Sequence, residues 1–199
     1  MITKLTIGLD ISINCTGIAV MYEQDSIAYQ QLYVLSPYIH KHRSIDIEYL
    51  QYDKHIDATN YSTKESSKAY NYHRLSNTLC KALFKYFKQL DKACIPKVII
   101  ENFAHNAIGA AKIDTPMLNA VVRDKIITCF DKYGTYLFII TPLQNKKRFT
   151  GNGKASKEMM VQEFLHKNPE FEYVQGAKLD DVADAFALAS SHFIIDTTL

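Results

Sequence analysis

The segment LTIGLDISINCTGIAV, from Leu5 to Val20, restricts the fold more than any other stretch of this chain. Two apolar runs stand there with too few residues between them for a crossover helix. Strands joined that tightly pair antiparallel. The pattern predicts a buried strand over 5–10, a second over 17–22, a hairpin turn at 23–26 and a third strand over 27–35. The first strand ends on a carboxylate, Asp10. An isolated Asp at a strand end reads equally as a cap or a turn residue, so its meaning depends on what else the chain supplies.

The chain goes on to supply similar features. Residues 36–67 are polar, rich in Tyr and His and without a period. They read as an insertion or extended loop inside a single domain spanning 1–199. Leu75, Leu79, Leu83, Tyr86, Phe87 and Leu90 recur at helical spacing over 68–91, and Pro96 stops that helix. KVIIE, at 97–101, is a short apolar strand that again ends on a carboxylate, Glu101. Thr115-Pro116 places an N-cap and a first-turn proline before a helix running to about Lys132, which Gly134 ends. A strand over 136–140 is closed by Thr141-Pro142. FTGNGKAS, at 149–156, is a Gly-bearing loop whose Ser156 caps a helix to about His166. The last helix, 180–195, carries Val182, Ala183, Phe186, Ala187, Ala189 and Ile194 as its apolar positions. The order β-β-β-α-β-α-β-α-α implies an α/β fold. Its five-stranded mixed sheet has three antiparallel strands, then two parallel ones, with helices on both faces.

Composition narrows the class. A net charge of +2 creates no global field for nucleic acid, so a DNA-binding face has to be a local basic patch. Cys15, Cys80, Cys94 and Cys129 are scattered without a CxxC, which reads as reduced thiols in an intracellular, cytoplasmic protein. No apolar run approaches a membrane span and no secretory signal pattern precedes the first strand.

Asp10 and Glu101 each terminate a buried strand, and strand carboxyl ends are where open α/β sheets bind ligands. Asp181 and Asp184 share one face of the last helix, and Asp180 duplicates the position at i, i+4 from Asp184. Carboxylates gathered at one site repel one another unless cations join them. Hard oxygen donors select Mg²⁺ or Mn²⁺ over zinc. Two such ions about 4 Å apart suit in-line phosphodiester cleavage.

At this point the chain resembles the RuvC family of Holliday-junction resolvases, within the ribonuclease H-like fold. IGLDISINCTGIAV is similar to the family's first motif and VIIENF to its second. KKRFTGNGKASKEMM resembles a third signature, with Lys, Thr-Gly-x-Gly and a further Lys. DDVADAFALASSH resembles the last, an Asp-x-x-Asp followed by a His. The four motifs stand in family order over nearly the whole chain outside 36–67. The resemblance implies Asp10, Glu101, Asp181 and Asp184 as ligands of two Mg²⁺ ions, with Mn²⁺ able to substitute. Either Asp180 or Asp181 fills the third position. It implies Lys146 and Lys157 beside the scissile phosphate, with Lys147, Arg148 and Lys154 completing a basic patch for DNA. It also implies a homodimer that cuts four-way junctions, with the helix from Thr115 at the dimer interface. Ser12 stands where the family commonly has Gly. Phe103 lies one residue off the register of the family's junction-opening aromatic. Tyrosines of 36–67 either stack on bases or pack the segment, and His40, His42 and His55 there read as surface residues. Two rivals share parts of the pattern: a ribonuclease H-like nuclease for flaps or RNA–DNA hybrids, and an actin- or sugar-kinase-like ATP-binding protein. The latter needs a second phosphate loop and about twice the length.

Overall fold

In the computed structural model, residues 1–38, 46–56, 61–102, 111–169, 171 and 179–193 are described. β1 (Ile2–Asp10), β2 (Thr16–Gln24) and β3 (Ile27–Ser36) form the antiparallel meander. The β2–β3 turn places Asp25 (φ 53°) and Ser26 (φ 61°) both in the left-handed region, the twist that suits a two-residue hairpin. β5 (Lys97–Glu101) pairs parallel to β1, and β6 (Tyr136–Ile140) pairs parallel to β5.

With β4 (Ile47–Gln51) the sheet has six strands, not five, in the order β4-β3-β2-β1-β5-β6. The added strand lies within the 36–67 stretch and pairs parallel to β3. Its residues IEYLQ alternate weakly, so only the pairing partner reveals it. Two helix starts also move, and one helix is added. α1 (Tyr61–Phe87) starts before 68. α2 (Ala111–Phe130) starts four residues before Thr115, with Pro116 inside it. A proline that early removes a single intrahelical bond, and Asp114 is held to α1 by Lys68 at 2.9 Å. Residues 142–150 form α3 (Pro142–Thr150), where a strand end and a loop were expected. α4 (Lys157–Lys167) and α5 (Leu179–Phe193) complete the order. Ile194, assigned above to the last helix, lies outside the described residues.

The strands alternate between two cores. Ile7, Leu9, Val98 and Ile100 pack against Leu75, Leu79, Leu83, Leu118, Val122 and Ile126 of α1 and α2. Ala19, Met21, Leu32 and Val34 face Phe164 of α4 and Val182, Ala183, Phe186 and Ala187 of α5. Helices therefore cover both faces. The four cysteines are free thiols. Among the described residues no helix is long and apolar enough to cross a membrane.

Candidate active site

β1 and β5 are neighbours, and Leu9 pairs with Ile100. The next residues, Asp10 and Glu101, therefore leave the sheet side by side. The turn after Asp10 is closed by its own side chains. The Thr16 hydroxyl donates to the Ser12 carbonyl at 2.8 Å, and the Ser12 hydroxyl accepts from the Cys15 N–H at 3.3 Å. Ser12, in place of a glycine, thus takes part in the turn. Two outside hydroxyls hold the same turn: Ser36 donates to the Asn14 carbonyl and Tyr52 to the Ile13 carbonyl, each at 2.8 Å. Tyr52 comes from the 36–67 stretch and packs in the core at 4% exposure. His55 of that stretch exchanges backbone bonds with the Asn71 side chain, whereas His40 and His42 lie outside the described residues.

α5 crosses β1 and β2 at backbone distance because two glycines lie beneath it. A Cβ at Gly8 would stand 2.0 Å from the Ala185 carbonyl oxygen, and one at Gly17 would stand 1.9 Å from the Asp181 carbonyl oxygen. This close approach brings the first turns of α5, with Asp181 and Asp184, over the end of β1.

Burial and like charge act together on the acids. Burial raises the Asp10 carboxyl well above the usual range, and Glu101, Asp184 and Asp181 raise it further. Glu101 is pushed up to about 7 by burial and then by Asp184, against the lowering effects of its bond to Asn145 and of Lys146. Asp184 is pushed up to about 6, chiefly by burial, with Lys146 and Lys157 opposing. Desolvation and like charge act in the same direction on all three groups. Asp180 differs: its carboxylate accepts from Lys157 Nζ at 2.8 Å, at the rim.

The basic residues divide between two elements. Lys146, Lys147 and Arg148 ride on α3, whose start is fixed by a reciprocal cap between Thr141 and Gln144 with Pro142 in the first turn. Lys146 Nζ donates to the Ala155 carbonyl at 2.8 Å, while Lys147 and Lys154 are exposed. Arg148 Nη1 donates to His192 Nε2 at 3.1 Å, so His192 Nδ1–H donates to the Leu188 carbonyl. Phe103 lies outside the described residues.

Two neighbours of the site escaped the sequence reading. Asn145, 1% exposed, donates from Nδ2 to Glu101 Oε2 at 2.8 Å and to the Asp184 carbonyl at 3.2 Å. Arg123 of α2 donates to the side-chain oxygen of Asn102, the residue after Glu101, at 3.1 Å. TPLQ, a Thr-Pro start with Gln at the third helical position, was the signal for the helix that carries Asn145.

Among the described residues, no three acidic, imidazole or thiol side chains converge into a ready-made metal cage. The donor set nevertheless fits a hard divalent cation. Its acids are crowded, half-buried carboxylates, and Asp184 Oδ1 is buried without a hydrogen-bond partner. A cation would relieve both the repulsion and the orphaned oxygen.

No family model matches the chain. In sequence it is 33% identical over 108 residues to crossover junction endodeoxyribonuclease RuvC of Helicobacter pylori and of Helicobacter acinonychis. That match covers 52% of this chain and 61% of those relatives. The chain thus spans less than two thirds of the curated relatives' length. In structure it is similar to Thermus thermophilus RuvC, with TM-score 0.56, 15% identity, and coverage of 97% of this chain and 95% of that one. A second Thermus structure, RuvC in complex with a Holliday junction substrate, superimposes with TM-score 0.55 at 12% identity. The yeast mitochondrial Holliday junction resolvase follows with TM-score 0.51, at 16% identity over 95% of this chain and 77% of the other. The chain is thus similar to RuvC proteins in sequence over about half of its length, and in fold over nearly all of it, with a mixed sheet of antiparallel then parallel strands.

Proposed function

We propose that this chain is a metal-dependent endonuclease that cuts branched DNA, four-way junctions foremost. The observation that carries the reading is the meeting of strand-end and helix-borne carboxylates beside two lysines, with Glu101, Asp184 and Asp181 raising the proton affinity of Asp10 and Asp184 raising that of Glu101. Asp10, Glu101, Asp181 and Asp184 would hold two Mg²⁺ ions, or Mn²⁺ in their place. Asp181 takes the third position because it acts on Asp10, whereas Asp180 is engaged by Lys157. When bound, the ions would supply an activated water and a charge opposite the leaving oxygen.

The remaining roles belong to the chain itself. Lys146 and Lys157 stand at the edge of the acidic cluster, where a backbone phosphate would lie, and supply positive charge to it. Lys147, Arg148 and Lys154 extend that charge over the adjoining surface for phosphate contacts outside the cut.

A second copy is part of the reading. α2 buries Leu118, Val122, Ile126 and Phe130, yet leaves Ile113, Met117 and Ile127 exposed, at 63%, 49% and 52%. The edge strand β6 also exposes Tyr136, Phe138 and Ile139. A helix apolar beyond its buried stripe calls for a partner. A two-fold homodimer would match the symmetry of a four-way junction.

The test is incubation with a synthetic four-way junction, a flap and an RNA–DNA hybrid, with and without Mg²⁺. Paired symmetric cuts in the junction that require the metal are expected. Cutting of the hybrid or flap alone would transfer the same acids to the rival nuclease reading. An ATP-binding reading is disfavoured by the single sheet seen among the described residues.

A further inference from the structure

We infer that Asn145 is a positioning residue that sets Glu101 and the backbone of α5 in register before a cation arrives; this rests on the metal-site reading above. Its amide has two N–H groups and meets two acceptors that cannot donate: Glu101 Oε2 at 2.8 Å and the Asp184 carbonyl at 3.2 Å. The amide orientation is therefore set by its partners, because the flipped form would place oxygen against oxygen. The side chain is 1% exposed, on a helix whose first turn is fixed by Pro142 and the Thr141–Gln144 cap. One buried group thus ties the end of β5 to the first turns of α5, two elements that share no hydrogen-bonded ladder.

The chemistry of the tie suits a metal site. A lysine in this place would neutralise Glu101 and compete with the cation. A neutral amide occupies one carboxylate oxygen and leaves the net charge and the second oxygen to the metal. On the α5 side Asn145 bonds the backbone, so the Asp184 carboxylate keeps its unpartnered Oδ1. Groups that orient ligands in this way commonly change metal affinity by about 10- to 100-fold when removed.

The experiment measures Mn²⁺ binding to the full chain by titration calorimetry, without DNA. Asn145→Leu, similar in volume and without a donor, should bind Mn²⁺ about 10- to 100-fold more weakly than wild type. The same change made in a Glu101→Ala background, where Asp10, Asp181 and Asp184 remain as donors for weaker Mn²⁺ binding, should cost less than about threefold, because the carboxylate it positions is absent. Equal loss in both backgrounds would mean general loosening and would overturn the inference, as would unchanged affinity in folded Asn145→Leu. Should that variant fail to fold by circular dichroism, Asn145→Ser, too short to reach Glu101, replaces it with the same expectations. Wild type that fails to bind Mn²⁺ refutes the metal reading itself, an outcome distinct from a variant that binds as well as wild type.

Discussion

Glu101→Gln should stabilise the metal-free protein at alkaline pH while weakening its response to metal. Glu101 rises from an ordinary 4.5 to about 7 in the folded chain. An acid raised on folding binds its proton more tightly in the native state. Its contribution is therefore full below about 4.5 and is lost as pH climbs to about 7. Each pKa unit corresponds to about 1.4 kcal/mol, so ionised Glu101 destabilises the metal-free fold by roughly 3 kcal/mol at pH 8. Asp184, raised to about 6, adds to the same trend, although the shared repulsion is not to be counted twice. Glutamine removes the charge and can still accept from Asn145. Melting with a chelator present should show the variant about 6–12 °C above wild type at pH 8, and level with it at pH 4. Added Mg²⁺ should then raise wild type and raise the variant much less, with cleavage lost by orders of magnitude. A variant that melts below wild type at pH 8, or gains as much at pH 4, would refute the crowding argument. Near-normal cleavage by Glu101→Gln would remove the two-ion assignment.

Gly17→Ala should push α5 off β2, since the new Cβ meets the Asp181 carbonyl oxygen at 1.9 Å; the expected cost is about 3 kcal/mol, read by urea denaturation, with Mn²⁺ affinity lost in parallel. Lys146→Ala and Lys157→Ala should each weaken junction binding or turnover and flatten the salt dependence by about one in slope; filter binding from low to moderate salt checks this, and an unchanged slope with an unchanged rate returns both residues to ordinary surface charge. Asp10→Asn subunits mixed with wild type should nick one strand of a junction and stall before the second cut, whereas a monomer by light scattering, free and on DNA, would refute the dimer. Tyr52→Phe should cost about 1 kcal/mol through the lost bond to the Ile13 carbonyl, measurable as a lower melting temperature.

Much of this molecule is legible in its local pattern. Apolar runs, the Glu23–Ser26 turn and the capping signals at Ser156 need only near neighbours to be read, because period and cap chemistry are short-range. The acids Asp10, Glu101, Asp181 and Asp184 stand out as candidates for a related reason: a carboxylate ending an apolar strand, or facing inward from a helix, conflicts with its surroundings. What tertiary structure alone decided is long-range. IEYLQ became β4 because Leu32–Ser36 offered an open strand edge, not because of its own weak alternation. Gly8 and Gly17 look like ordinary strand residues until α5 is seen at backbone distance above them. Lys157, 23 residues away in sequence, reaches Asp180 and so sets its surroundings apart from those of Asp181. Asn145 stands 44 residues from Glu101 and carries no signature in its own neighbourhood. Its place in the site exists only because the end of β5 meets the first turns of α3 and α5 at one point, a convergence that packing of two cores on one sheet enforces and no local pattern encodes.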